Sequence, residues 1–131
     1  MDLVEFLGVS KQVSIKTGFL STRDLVCAYG KSKVCLLPYK KIDQSGVLMT
    51  SLGLCVPIVA YDKEGFKDVI KNGWNGYLVK QDNISELADG IEKCLRYNDR
   101  MRLNILSDQQ KDLWLANAQK LKKAYLKCLK H

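Results

Sequence analysis

Histidine is almost missing from this chain: its single imidazole is the last residue, His131. Cysteines stand at 27, 35, 55, 94 and 128, and no two form a C-x-x-C pair. Without paired thiols or an internal imidazole the ligand spacing of a zinc site is lacking. No nucleophile stands beside a base, and the carboxylates are scattered, so any chemistry must come from binding an anion and orienting it. No apolar run approaches the ~18 residues that cross a bilayer, and no secretory leader pattern is visible. Internal repeats and low-complexity tracts are also absent.

What is present suits one globular domain. The chain has 131 residues, and its 47% hydrophobic content is enough to build a core. Cys27, Cys35, Cys55 and Cys94 fall inside apolar runs, where a reduced thiol behaves as a small buried hydrophobe. That usage fits a reducing cytoplasm. The net charge of +7 favours anionic ligands. Lys120, Lys122, Lys123, Lys127 and Lys130 cluster on a helical pattern near the end. They form either a solvated helix face or a surface drawn to acidic partners or to anionic lipid at the inner face of a membrane. No nucleic-acid-binding motif accompanies them, and nucleic acid is not an expected partner.

Short apolar runs alternate with longer helical patterns. Strands are predicted at Val13–Thr17, at Lys33–Leu37 (closed by Pro38 and buried on both faces), at Pro57–Tyr61 and at Gly76–Val79. Met1–Gly8 reads as a helical turn or two. Helices are predicted at Thr22–Ser32, capped by Ser21 or Thr22, at Ser45–Leu54, and at Gly65–Lys71, ending at Asn72-Gly73. A longer one is capped by Asn83 or Ser85 and runs to about Tyr97, with Leu87, Ile91, Cys94 and Leu95 inward. A helix from about Asp99 to Leu106 and a final one from about Gln109 to Leu129 follow. Strands alternating with helices make βαβ units. The expected fold is therefore an α/β, Rossmann-like doubly wound parallel sheet of about four strands.

In such a sheet, ligands bind outside the carboxyl ends of the strands. Asp43-Gln44-Ser45-Gly46-Val47 lies there, after the strand ending at Leu37 and at the start of a helix. The amides of Ser45, Gly46 and Val47, with the positive end of the helix dipole, suit a diphosphate. The plainer alternative is an ordinary N-cap made by Asp43 or Ser45.

The residues from Gly18 to Val79 resemble, in order and spacing, the C-terminal domain of glycosyltransferase family 4, the group 1 transferases of GT-B fold. The matching pieces are Gly18-Phe19-Leu20-Ser21 with Asp24-Leu25, Val34 to Tyr39, Gln44-Ser45-Gly46-Val47-Leu48 and Pro57-Ile58-Val59-Ala60. Gly65 with Asp68-Val69-Ile70 and Asn72-Gly73, then Asn75-Gly76-Tyr77-Leu78-Val79, complete them. Trp114 and Tyr125 on the terminal helix fit the family's tail.

The resemblance implies a nucleotide-diphosphate sugar as donor, a glycan or lipid-linked hydroxyl as acceptor, and no metal or other cofactor. Gln44, Ser45, Gly46 and Val47 would hold the donor's diphosphate and sugar. The family's two glutamates fall here on Ile42 and Thr50; Thr50 still offers a hydroxyl to the ribose, whereas Ile42 offers no bond. Cys55 occupies the usual glycine of the turn before Pro57, where the backbone is then less permissive. The family's opening strand, its Gly-Arg/Lys-Gly segment and its acceptor-binding domain find no counterpart. Residues 1–131 thus read as one partial domain, with a core over 12–97 and a helical extension over 98–131. Its acceptor half would be a separate domain or chain. On that reading the helix carrying Leu113, Leu115, Ala118, Leu121, Tyr125 and Leu129 lacks cover and invites a second copy or a partner. The alternative function is a non-catalytic α/β binding or scaffold module.

Overall fold

In β2, Ile58–Tyr61, every residue is buried, and the rest of the fold is arranged around this strand. The computed structural model describes residues 3–41, 45–110, 119 and 121–123. Within them β2 lies between β1, Cys35–Leu37, and β3, Gly76–Val79, and pairs with both in parallel. Cys35 stands opposite Ile58 and Leu37 opposite Ala60, while on the other side Ile58 meets Gly76 and Tyr61 meets Val79.

Successive strand residues point to opposite faces, and β2 divides accordingly. Ile58 and Ala60 pack with Leu37, Leu48, Phe66 and Ile70. That layer is α3, Gly46–Gly53, and α4, Glu64–Lys67, the two crossovers between neighbouring strands. Val59 and Tyr61 pack with Val79, Cys94 and Met101 on the other face. There the cover is α5, Ile84–Arg96, and α6, Asn98–Gln110. The sheet is thus wound on both faces, as the alternating pattern predicts.

Local chemistry sets the boundaries. Asn83 caps α5: its side chain accepts from the Glu86 amide at 3.0 Å and donates to the Glu86 carboxylate at 2.8 Å. The other Glu86 oxygen accepts from the Lys80 amide at 2.8 Å, which ties the end of β3 to the start of the helix. Asn75, buried in the turn before β3, accepts from the Lys71 amide at 2.8 Å and donates to the Val69 carbonyl at 2.9 Å. Gly73 turns the chain there with φ +75.

α6 runs along the amino ends of all three strands. Asn98 donates to the Lys33 carbonyl and Arg102 to that of Ser32, both just before β1. Gln109 donates to the Leu52 carbonyl, ahead of β2. Ahead of β3, Asn104 donates to the Trp74 carbonyl at 3.0 Å, and the Trp74 indole donates to Asp108 at 2.8 Å. Met101 and Ile105 meanwhile enter the core. Side chains of α6 thereby satisfy backbone groups at one edge of the sheet.

Several expectations need correction. Val13–Thr17 forms no strand, so the described sheet has three strands, not about four. Alternating Val13 and Ile15 suits a strand, but a strand also needs a neighbour for its amides and carbonyls. Nothing pairs with 13–17 in the described residues, and both side chains are exposed. For the same reason β1 is not buried on both faces: Leu36 is 43% exposed. α2, Thr22–Lys31, is capped by Ser21 as expected but buries no residue, so Cys27 is exposed rather than core. The opening helical turn is α1, Leu3–Phe6, also unburied. The helix predicted over Asp99–Leu106 is longer, reaching Gln110. Most of the predicted terminal helix, with Lys120, Lys127, Lys130, Leu113, Leu115, Ala118, Tyr125 and Leu129, lies outside the described residues; Leu121 is exposed.

Candidate functional site at the carboxyl edge

Parallel pairing brings the carboxyl ends of β1, β2 and β3 to one edge. Three connections leave it: the one from Pro38 to Ser45, the pair Asp62 and Lys63, and the turn from Lys80 to Asn83. α3 begins at this edge. Ser45 is its N-cap, extended at φ −128, and its Oγ accepts from the Leu48 amide at 3.1 Å. The Ser45 hydroxyl therefore makes the ordinary cap. A helix offers the amides of its first turn no carbonyl of its own, which leaves those of Gly46 and Val47 facing outward. Both residues are exposed, and a Cβ on Gly46 would meet no atom within 4 Å. Backbone donors, open space and the positive end of the α3 dipole coincide here, and together they suit an anion.

The structure brings Ser45, Gly46, Val47 and Thr50 together on the first turns of α3. Thr50 Oγ1 donates to the Gly46 carbonyl at 2.8 Å, so its proton is committed to the helix and its lone pairs remain to accept from a sugar hydroxyl. Gln44, Asp43 and Ile42 lie outside the described residues.

Sequence reasoning missed a polar network across the same edge. Lys40, just past β1, pairs with Asp82, just past β3, at 2.9 Å. Gln81 donates to the other Asp82 oxygen at 3.1 Å and accepts from Lys63, just past β2. The network joins all three connections. Hydrogen bonding and charge from Asp82 hold the Lys40 ammonium above its usual range. Lys40, then Gln81, hold the Asp82 carboxyl below its own. The signal was available in principle, since each of these residues lies on a connection that leaves a predicted strand. What pairs with what depends on strand order, which the sequence leaves open. Lys67 is engaged apart from this network, by Glu64 at 2.8 Å and Asp62 at 3.6 Å.

At the opposite edge, Cys55 stands in the turn before β2 with φ +57. The backbone there takes the left-handed form that a glycine would adopt without strain, although a Cβ is present.

The family model for glycosyl transferases group 1 matches residues 2–111. The chain belongs to this family. It is 27% identical over 93 residues to an alpha-D-kanosaminyltransferase of Streptomyces kanamyceticus, a match covering 71% of this chain and 24% of the relative. It is 29% identical over 90 residues to an uncharacterized glycosyltransferase of Haemophilus influenzae (strain ATCC 51907 / DSM 11121 / KW20 / Rd), covering 63% of this chain and 26% of that relative. The matches thus take in about a quarter of each relative. Membership of the family points to sugar transfer in general terms, and the three-stranded parallel sheet with helices on both faces agrees with a Rossmann-like half of a GT-B fold.

Proposed function

We propose that this chain is the donor-binding part of a glycosyltransferase. It would hold the diphosphate of a nucleotide sugar at the start of α3, for transfer of a hexose to a glycan or lipid-linked hydroxyl bound by another domain or chain. The observation that carries this reading is the outward-facing first turn of α3, open above Gly46, at the carboxyl edge of a group 1 transferase sheet. The amides of Ser45, Gly46 and Val47, with Gln44 beside them, would meet diphosphate and sugar, and Thr50 would accept from the ribose. Backbone dipoles and lysines can balance a diphosphate's charge, so the reading needs no metal.

The whole of residues 1–131 serves this one role, with the acceptor bound elsewhere. Association through the terminal helix, with a second copy or with a chain carrying the acceptor half, belongs to the same proposal. So do a cytoplasmic setting and contact of the lysine cluster with an anionic membrane face. A second reading, a binding module without catalysis, is favoured by Thr50 and Ile42 standing where the resemblance expects glutamates. Calorimetric titration of the chain with uridine and guanosine diphosphates tests the donor site itself. Saturable binding at sub-millimolar concentration is expected; no heat with either at millimolar concentration removes the donor reading. Sugar hydrolysis or transfer assays with the acceptor half added back then separate the two readings.

A further inference from the structure

We propose that Lys40 is the cation that meets the donor diphosphate, and that Asp82 holds it across the edge until the donor arrives. The inference rests on the donor reading above. It starts from the placement of the ion pair. Lys40 lies on the connection that runs from β1 into α3, the helix whose first turn faces outward. Its partner comes from a different connection, the turn between β3 and α5. An acidic residue at an edge suited to an anion works against binding unless its charge is neutralised. Lys40 neutralises it, and Gln81, itself held by Lys63, fixes the second carboxylate oxygen. Asp82 is also one of two described non-glycine residues with positive φ, at +60, a conformation that its short polar side chain tolerates.

Both partners are well exposed, with side chains 66% and 53% accessible, and an exposed ion pair of this kind is easily exchanged. A diphosphate brings more charge and more acceptor oxygens than one carboxylate, so it outcompetes Asp82 for the ammonium. Two of the other cations near this edge have partners of their own. Lys67 already serves Glu64 and Asp62. Lys63 is engaged by Gln81 and leads into α4, not α3. Asp82 therefore sets the affinity by competition: it keeps Lys40 oriented and lowers the occupancy by stray anions.

Competition makes the two residues act with opposite signs, which a merely structural ion pair does not do. The test is titration of the full chain and its variants with uridine and guanosine diphosphates over a range of sodium chloride. Lys40→Ala should weaken binding about tenfold and flatten its salt dependence, while Asp82→Asn should tighten it about threefold. Lys93→Ala removes the same charge from the last turn of α5, away from this edge, and should change affinity less than about twofold. A variant that fails to fold cannot bind more tightly, so the Asp82→Asn result remains decisive. Equal weakening by Lys40→Ala and Asp82→Asn overturns the proposal in favour of a structural pair. Unchanged affinity in both overturns it while leaving the donor site in place. Absence of binding to the unmodified chain removes the donor site and Lys40's role together.

Discussion

Gly76 lies so close to Ile58 that a Cβ built on it would stand 2.1 Å from the Ile58 carbonyl oxygen and 3.0 Å from its carbon. The two residues are register partners in adjacent strands, so the obstruction is backbone that has no rotamer to change. Gly76→Ala should break the β2–β3 pairing and destabilise the fold by about 3 kcal/mol or more. Urea unfolding followed by circular dichroism measures this. Gly46→Ala is the contrast: open space surrounds its Cβ, and its stability should stay within about 0.5 kcal/mol of the parent.

Asn75 holds the turn before β3 with two hydrogen bonds to backbone, to Lys71 and Val69, in a buried setting. Asn75→Ala leaves an amide and a carbonyl without their partner and should destabilise by about 2–3 kcal/mol. Asn75→Asp keeps the acceptor but loses the donor to Val69, and should fall between the two. Thermal unfolding of the three proteins ranks them; equal stability of Asn75→Ala and the parent would show that the turn holds without the side chain.

Cys55 adopts φ +57, where glycine is at ease and a Cβ is not. Both Cys55→Gly and Cys55→Ala remove the sulfur that Gln109 approaches at 3.7 Å, so comparing them isolates the Cβ. Cys55→Gly should be the more stable of the two, by about 1 kcal/mol. The reverse order in chemical denaturation would mean that the turn carries no strain.

The Cys94 thiol is buried between α5 and the sheet, and burial pushes its pKa up from 9.0 to about 11. Below 9.0 both folded and unfolded chains keep the proton, so the buried neutral thiol carries no penalty. As pH rises from 9.0 towards 11 the unfolded chain ionises first, and stability is lost. Cys94→Ala should lose stability less steeply over that window, whatever its level at neutral pH. In the native chain at pH 8, iodoacetamide with peptide mapping should label exposed Cys27 and leave Cys94 untouched.

Much of the architecture was legible because it rests on local chemistry. The strand at Gly76–Val79 is found where the run of apolar residues between turn signals places it. Ser21, Ser45 and Asn83 cap the helices that follow them, since a short polar side chain satisfies orphan amides whatever the remote surroundings. The start of α3 after Ser45, where the anion site is proposed, was legible for the same reason. Less legible were Val13–Thr17, Leu36 and Cys27. Each reads as an interior residue from its neighbours in sequence, and each is exposed because no described element lies against it.

By itself, then, the sequence determined the alternation of strands and helices, the caps that bound them, the buried identity of β2 and the family resemblance. These follow from periodicity, side-chain chemistry and motif order, all properties of contiguous residues. Only the tertiary structure decided that α6 would bind the amino edge of all three strands and that Lys40 would meet Asp82 across the other. Both depend on which strands become neighbours. Parallel pairing through β2 brings together residues that are far apart in the chain, and their charges interact strongly only at close range.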